Sequence, residues 1–313
     1  MSAVSALAEH CSGAENNAAD VSRLENGRLA DYLTLCRPRI AVMSAAAAAA
    51  GYTLTATQGV DWIHLAFVLT GIVSLVASAS ILNQVLESET DLLMKRTEKR
   101  PLATGRISVA EGWLIGLLAL LVGFVVLLKF ANVLTAMAGV LTAVVYVAIY
   151  TPMKRWSPLC TTVGAIPGAM PPVLGWFAAG GAPDLGALSL FALFFVWQFP
   201  HFLAIAWIYR DQYRQAGLKM LPGEEDGGRR AGLIALIYAA AFVPVSVMPR
   251  FAGLSGAGYV ASAMVLSLGY LWLTLRFTKE RTDERARQLM LGSLLCRPAL
   301  LISLVFDYVR LTS

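Results

Sequence analysis

Charge is scarce in this chain. Only 14% of its 313 residues are Asp, Glu, Lys or Arg, against about 25% in a soluble globular domain. Stretches such as Ile40 to Gln58 and Leu114 to Leu128 have none. So few and so clustered charges cannot cover a water-facing surface, which excludes a soluble enzyme and a disordered chain. Cysteine is also sparse. Cys11, Cys36, Cys160 and Cys296 lie far apart with no CxxC pair, which excludes a disulfide scaffold and indicates no thiolate metal clip. The first 28 residues lack a basic start followed by an apolar core and carry Glu9, Glu15, Asp20 and Glu25. A cleavable signal peptide is not expected there, and residues 1–28 read as a mobile cytoplasmic tail.

What is present is apolar. Hydrophobic residues make up 57% of the chain, and the mean hydropathy is +0.64. The long unbroken runs are those of spanning helices, whereas barrel strands alternate. An all-α integral membrane protein is therefore expected, with one transmembrane domain over residues 29–313. Apolar runs of about 20 residues lie near 39–57, 61–88, 109–128, 132–150, 159–179, 185–209, 230–247, 252–275 and 288–309. These predict nine transmembrane helices.

Basic residues orient them. Net charge +5 alone would suggest nucleic acid, but in a membrane protein Lys and Arg mark the cytoplasmic loops, and no nucleic-acid partner is expected. Of the 25 Lys and Arg, only Lys129, Arg250, Arg297 and Arg310 fall outside the leading segment and the loops after helices 2, 4, 6 and 8. All those segments share one side of a nine-span chain. This predicts a cytoplasmic N-terminus and an outside C-terminus. The absence of an Arg-rich, acid-poor presequence favours a bacterial plasma (inner) membrane.

The loop after helix 2 carries the most chemistry. Asn83, Glu87 and Asp91 recur every four residues, a spacing that holds one face of a helix with about 40° of drift per step. Two carboxylates and an amide oxygen are hard ligands of the kind Mg²⁺ takes together with substrate phosphates. Lys95, Arg96, Lys99 and Arg100 follow, donors suited to phosphate oxygens. Ser108 with Glu111 forms a capping-box pattern that starts helix 3. The same residues also fit a solvated interfacial loop whose acids pair with neighbouring bases. Asn83 favours the site, because a polar residue near the end of a long apolar span is expensive and often functional.

A second loop follows helix 6. It places Trp197, His201, Trp207, Tyr209 and Tyr213 near Asp211 and Lys219, and reads either as a cavity wall or as an aromatic belt at the interface. Lys154 and Arg155 add two cations after helix 4. Gly164 to Pro172, rich in Gly and Pro, either packs very closely or is broken around a cavity. Acids for Mg²⁺ and cations for phosphate beside an apolar interior suit a substrate with a diphosphate head and a lipid tail. The leaving group's charge would be clamped, and a carbocation would be sheltered by aromatic faces. That chemistry is transfer of an isoprenoid chain inside the membrane.

These residues carry a family resemblance. Asn83-x3-Glu87-x3-Asp91 with Met94, Arg96, Thr97, Arg100, Pro101 and Leu102 resembles the UbiA-type intramembrane prenyltransferases. So do Asp31-Tyr32 with Arg37-Pro38-Arg39-Ile40, Tyr150-Thr151 with Lys154-Arg155, and Gly164 to Pro172 with Gly175-Trp176. Trp197-Gln198-x-Pro200-His201-Phe202 and Tyr213 to Pro222, with its Met220-Leu221-Pro222 ending, point within that family to the haem-farnesylating branch. The similarity runs from about residue 29 to 310.

The resemblance implies nine helices around a central cavity, Mg²⁺ as cofactor, and farnesyl diphosphate and haem B as substrates in a setting of membrane lipid. The product would be haem O, passed to a downstream haem A synthase or terminal oxidase. It implies Asn83, Glu87 and Asp91 as catalytic metal–diphosphate ligands, with Asp211 as a possible further ligand. Arg96, Arg100, Lys154 and Arg155 become diphosphate contacts, and His201, Tyr213 and Trp197 haem-site candidates. Three positions depart from the pattern. Many bacterial members have Asp where Glu87 stands, an acid often precedes the tyrosine that Gln212 precedes here, and the stretch from Gly223 to Gly228 differs. Two alternatives remain: prenyl transfer to an aromatic quinone precursor, and a transporter without catalysis, for which no convincing internal repeat is present.

Overall fold

The structure is a computed structural model and describes residues 27–56, 59–221 and 227–312. The expected tail up to residue 26, and Glu224 to Asp226 of the divergent stretch, lie outside the described residues. No strand occurs among those described. Among the described residues a helical segment at 27–35 leads into nine long helices: α1 (Pro38–Thr53), α2 (Trp62–Leu86), α3 (Val109–Phe130), α4 (Val133–Met153), α5 (Cys160–Ala178), α6 (Leu185–Ile208), α7 (Arg229–Ser246), α8 (Ala257–Glu280) and α9 (Asp283–Thr312). The nine apolar runs thus reappear as helices, but length and composition mark seven of them as membrane spans. The other two are α1 and α5. The 16 residues of α1 reach about 24 Å at 1.5 Å per residue, short of a ~30 Å hydrocarbon layer. Helix α5 carries Pro167, Pro171 and Pro172 inside it.

Local signals set the helix starts. Asp61 accepts from Ile63 N and His64 N, each at 3.0 Å, and caps α2. Ser108 accepts from Glu111 N at 3.2 Å, so α3 starts where the capping-box pattern places it. Helix α4 is not α-helical throughout. Val145–Tyr150 form a π-helical stretch, a local widening that places Tyr146 and Tyr150 on the interior wall; such bulges recur at functional sites.

Helices α2 and α6 are central, with 56% and 67% of their apolar windows buried, whereas α3 is peripheral at 17%. Outward-facing side chains such as Leu121, Val265, Leu295 and Phe306 are exposed and apolar, as a lipid-facing surface requires. Two packed clusters form the interior. One unites Tyr52, Ile72, Leu75, Leu127 and Leu174; the other unites Phe194, Phe242, Tyr270, Leu289 and Leu304. Helices α1 and α5 cross at glycines. A Cβ at Gly51 would overlap the Pro172 carbonyl oxygen, and one at Gly175 would overlap that of Ala48, so the backbones approach as closely as small-residue interfaces permit.

The start of α8 has no side-chain cap of its own. Asp307 from α9 supplies one, its Oδ2 accepting from Gly256 N at 2.5 Å and Tyr259 N at 3.3 Å. Asp307→Ala is expected to cost about 1–2 kcal/mol, as lost helix caps do. A lowered Tm in detergent would show it, and an unchanged Tm would mean that the cap contributes nothing.

Candidate active site

Between the two packed clusters lies a cavity of about 1100 Å³. Its mouth is formed where the leading segment, the end of α2 and the loops after α4 and α6 converge. Asn83, Glu87, Asp91, Arg96, Arg100, Lys154, Trp197, His201 and Tyr213 all line it.

The acidic face survives a break in the helix. α2 ends at Leu86 with Glu87 as its C-cap, and Ser88–Asp91 form a separate turn. Even so, Glu87 N donates to Asn83 O at 3.0 Å and Asp91 N donates to Glu87 O at 2.7 Å. The i→i−4 register therefore carries across the break, and the three side chains remain on one face. Asn83 is fully buried. Its Nδ2 donates to Thr151 Oγ1 at 2.9 Å, and that hydroxyl spends its own proton on Tyr146 O at 2.9 Å. The amide oxygen is thereby turned toward Arg37, whose Nη2 donates to it at 3.3 Å.

Each acid has a cation. Glu87 Oε1 accepts from Lys154 Nζ at 2.7 Å, and that ammonium lies 4.4 Å over the Tyr150 ring. Asp91 Oδ2 accepts from Arg100 Nη1 at 2.6 Å. Burial opposes ionised Glu87, but Lys154 outweighs it and holds the carboxyl below its ordinary pKa. At Asp91 burial wins over Arg100, and the carboxyl is pushed up. The second oxygen explains this: Asp91 Oδ1 is buried without any hydrogen-bond partner, and an ionised oxygen so placed is costly.

Arg96 links the two charged loops. Its backbone N donates to Gln212 Oε1 at 3.2 Å, and its guanidinium lies 5.3 Å from the Tyr209 ring centroid and 6.0 Å from that of Tyr213. Gln212, a departure from the family pattern, thus ties one loop to the other.

Two predicted residues are not brought to the cavity. Arg155 points away from the wall that Lys154 lines, and its Nη2 donates to Thr90 Oγ1 at 2.8 Å, bracing the Ser88–Asp91 turn from outside. Asp211 is exposed, ion-paired with Arg214, and faces a separate shallow groove. It lies on the short helix Arg210–Gln215, two residues before buried Tyr213; a two-residue helical step of about 200° lets Tyr213 reach the cavity as well as the groove, while Asp211 lines the groove and not the cavity.

The far wall is aromatic. Trp197 and His201, one turn apart on α6, stack with ring centroids 5.1 Å apart. Trp197 Nε1 donates to Ser293 O at 3.1 Å. Ser293 Oγ lies 2.5 Å from Met290 O and 2.6 Å from His201 Nδ1. Nδ1 is thereby engaged, while Nε2 meets no hydrogen-bond partner among the described residues. Sequence reasoning did not assign Arg37, Tyr146, Tyr150 or Arg297 to the site, yet all line the cavity. Arg37 and Tyr150 carried a signal, since both stand in segments already matched to the family. The backbone of Arg37 also takes a left-handed φ of 48°, rare for a residue with a side chain and frequent where function imposes strain.

Residues 43–296 match the UbiA prenyltransferase family. The chain is 38% identical to the protoheme IX farnesyltransferase of Koribacter versatilis, over 89% of this chain and 93% of that one. It is 36% identical to the enzyme of the same name from Cytophaga hutchinsonii, over 89% and 97%. Among solved structures it superposes on a digeranylgeranylglyceryl phosphate synthase with TM-score 0.76 at 17% identity, covering 90% of this chain and 99% of that one. It also superposes on a UbiA homologue from Archaeoglobus fulgidus bound to GPP and Mg²⁺, with TM-score 0.62 at 21% identity over 88% and 99%. At those identities the structural likeness speaks for the fold; with the sequence matches beside it, the chain belongs to the UbiA prenyltransferase family.

Proposed function

We propose that this protein transfers the farnesyl group of farnesyl diphosphate to a vinyl group of haem B, giving haem O. The observation that carries the reading is a single cavity with two chemically distinct ends: the Asn83–Glu87–Asp91 face with Arg96, Arg100 and Lys154 at the mouth, and the Trp197–His201 wall beyond it. The relatives' shared name supports haem as acceptor. In the reaction the C1–O bond of farnesyl diphosphate breaks and diphosphate leaves with the electron pair. The vinyl terminus bonds to the allylic carbon. Water then adds to the cation left beside the macrocycle and releases a proton. Lys154, Arg100 and Arg96 take up charge that develops on the leaving oxygens. The apolar walls keep water from the allylic cation, and Tyr146 and Tyr150 offer it ring faces.

The donor set fits a divalent cation. Among the described residues no three His, Cys, Asp or Glu side chains form a ready cage. Two carboxylates and an amide oxygen, one carboxylate oxygen being buried and unpartnered, nonetheless match the few protein ligands that Mg²⁺ combines with substrate phosphates. Asn83, Glu87 and Asp91 would hold it. When bound, it neutralises diphosphate charge and eases departure of the leaving group. His201 faces the macrocycle through Nε2. We place the mouth on the cytoplasmic side of a bacterial inner membrane, following the basic loops, with haem O passing to a downstream haem A synthase or oxidase.

The test is direct. Membranes carrying the protein, given haem B, farnesyl diphosphate and Mg²⁺, should yield the mass of haem O. EDTA should abolish the product and excess Mg²⁺ should restore it. No haem O alongside a working control overturns the reading, and prenylation of a quinone precursor in its place would reassign the acceptor.

A further inference from the structure

Four basic residues stand apart from the basic loops, and three have a local explanation. Lys129 ends α3 and lies 5.4 Å over the Phe130 ring. Arg250 donates to Ser255 O at 3.1 Å. Arg310 pairs with Asp307 at 2.9 Å. Arg297 differs. It sits halfway along the 30-residue α9, among apolar residues, where a charge is expensive and its partner marks function. Its guanidinium carbon lies 4.7 Å from the Trp197 ring centroid and 5.5 Å from that of Phe194. Among the described residues no carboxylate or other acceptor meets its N–H groups. It lines the cavity with His201, Leu294 and Pro298. Rings cover its face while its planar fork of donors remains unused, and that fork matches a carboxylate in two-point geometry.

We propose that Arg297 anchors the acceptor by binding a carboxylate on the edge of its aromatic plane. This rests on the haem reading above: haem B carries two propionates at the rim of a flat macrocycle, and Arg297, Trp197 and His201 form a continuous column on one wall. A guanidinium on a propionate would set which vinyl group turns toward the allylic carbon, with the imidazole Nε2 addressing the ring. The diphosphate is the other anion in the cavity, but its cations gather around the α2 acids, whereas Arg297 touches α6 rings only.

The full-length protein in detergent, titrated with haem B and separately with haem B dimethyl ester by Soret absorbance, tests this. The wild type should bind the free acid about 10- to 100-fold more tightly than the ester, as expected for a charge-assisted hydrogen-bonded pair. Arg297→Met should bring that ratio near one with ester affinity unchanged, and Arg297→Lys should keep part of it and controls for folding. KM for farnesyl diphosphate should not move in Arg297→Met. Equal affinity for acid and ester in the wild type overturns the proposal and leaves the haem reading standing, as does a ratio retained in Arg297→Met. A raised KM for farnesyl diphosphate with an intact ratio would give the guanidinium to the diphosphate instead. Failure of the wild type to bind either porphyrin brings down the haem reading, and this inference with it.

Discussion

Replacing Asp91 by Asn is expected to lower kcat at least about 100-fold, the scale on which single charge-stabilising groups act, and to leave the protein folded. Both halves follow from one geometry. The carboxylate pairs with Arg100 through Oδ2 and buries Oδ1 with no partner. An amide of the same shape removes an anion whose burial already works against the native state and keeps an oxygen for Arg100. Folding therefore loses little. Chemistry loses the charge that would hold a divalent cation and keep Arg100 aimed at the diphosphate. Single-turnover farnesyl transfer beside a melting curve in the same detergent separates the two effects. Activity within a few-fold of wild type would take Asp91 out of the site. A collapsed Tm would mean that the ion pair is structural.

Gly175→Ala should prevent the native fold from forming. In a helix interior this substitution ordinarily gains about 1 kcal/mol, so its sign is decided by the neighbour. The new Cβ would fall on the Ala48 carbonyl oxygen and 2.7 Å from the carbon bearing it. A backbone carbonyl cannot rotate aside, so α1 would have to move. Overpacking typically costs about 1–3 kcal/mol, and more where main chain must shift. Because the start of α1 carries Arg37 and part of the cavity lining, displacement would also open the mouth. Gly232→Ala is the control: its Cβ would meet the Thr278 side chain at 3.3 Å, which a small adjustment relieves. Monodisperse protein in comparable yield and with wild-type Tm from Gly175→Ala would refute the close α1–α5 crossing.

Much of this is legible in the sequence. Unbroken apolar runs locate the helices because lipid demands that backbone polar groups be satisfied within the segment. The acidic face was legible because a four-residue repeat nearly closes a helical turn, and hydrogen bonds preserve that register past Leu86. Neighbours in sequence were harder. Lys154 reaches the cavity and Arg155 does not, since one helical step turns a side chain by about 100°. Asp211 and Tyr213 part for the same reason. The Gly164 to Pro172 stretch admits close packing or a break around a cavity; α5 is unbroken over Cys160–Ala178, and Pro172 meets Gly51 on one side while Gly164, Pro167, Gly168 and Pro171 line the cavity on the other. The π-helical stretch at Val145–Tyr150 has no periodic signature in sequence, so Tyr146 and Tyr150 went unassigned. Arg297 was visible only as a stray base in an apolar run, because what distinguishes it is the lack of a partner in space.

The ion pairs at the mouth bear on how a polyanion approaches. Carboxylates in a pocket meant for diphosphate should repel it, yet Lys154 masks Glu87 and Arg100 masks Asp91. Seen from outside, the pairs nearly cancel, and Arg37, Arg39 and Arg96, which also line the cavity, leave its mouth net positive. A diphosphate head would therefore meet net positive charge at the mouth whether or not a divalent cation is already bound.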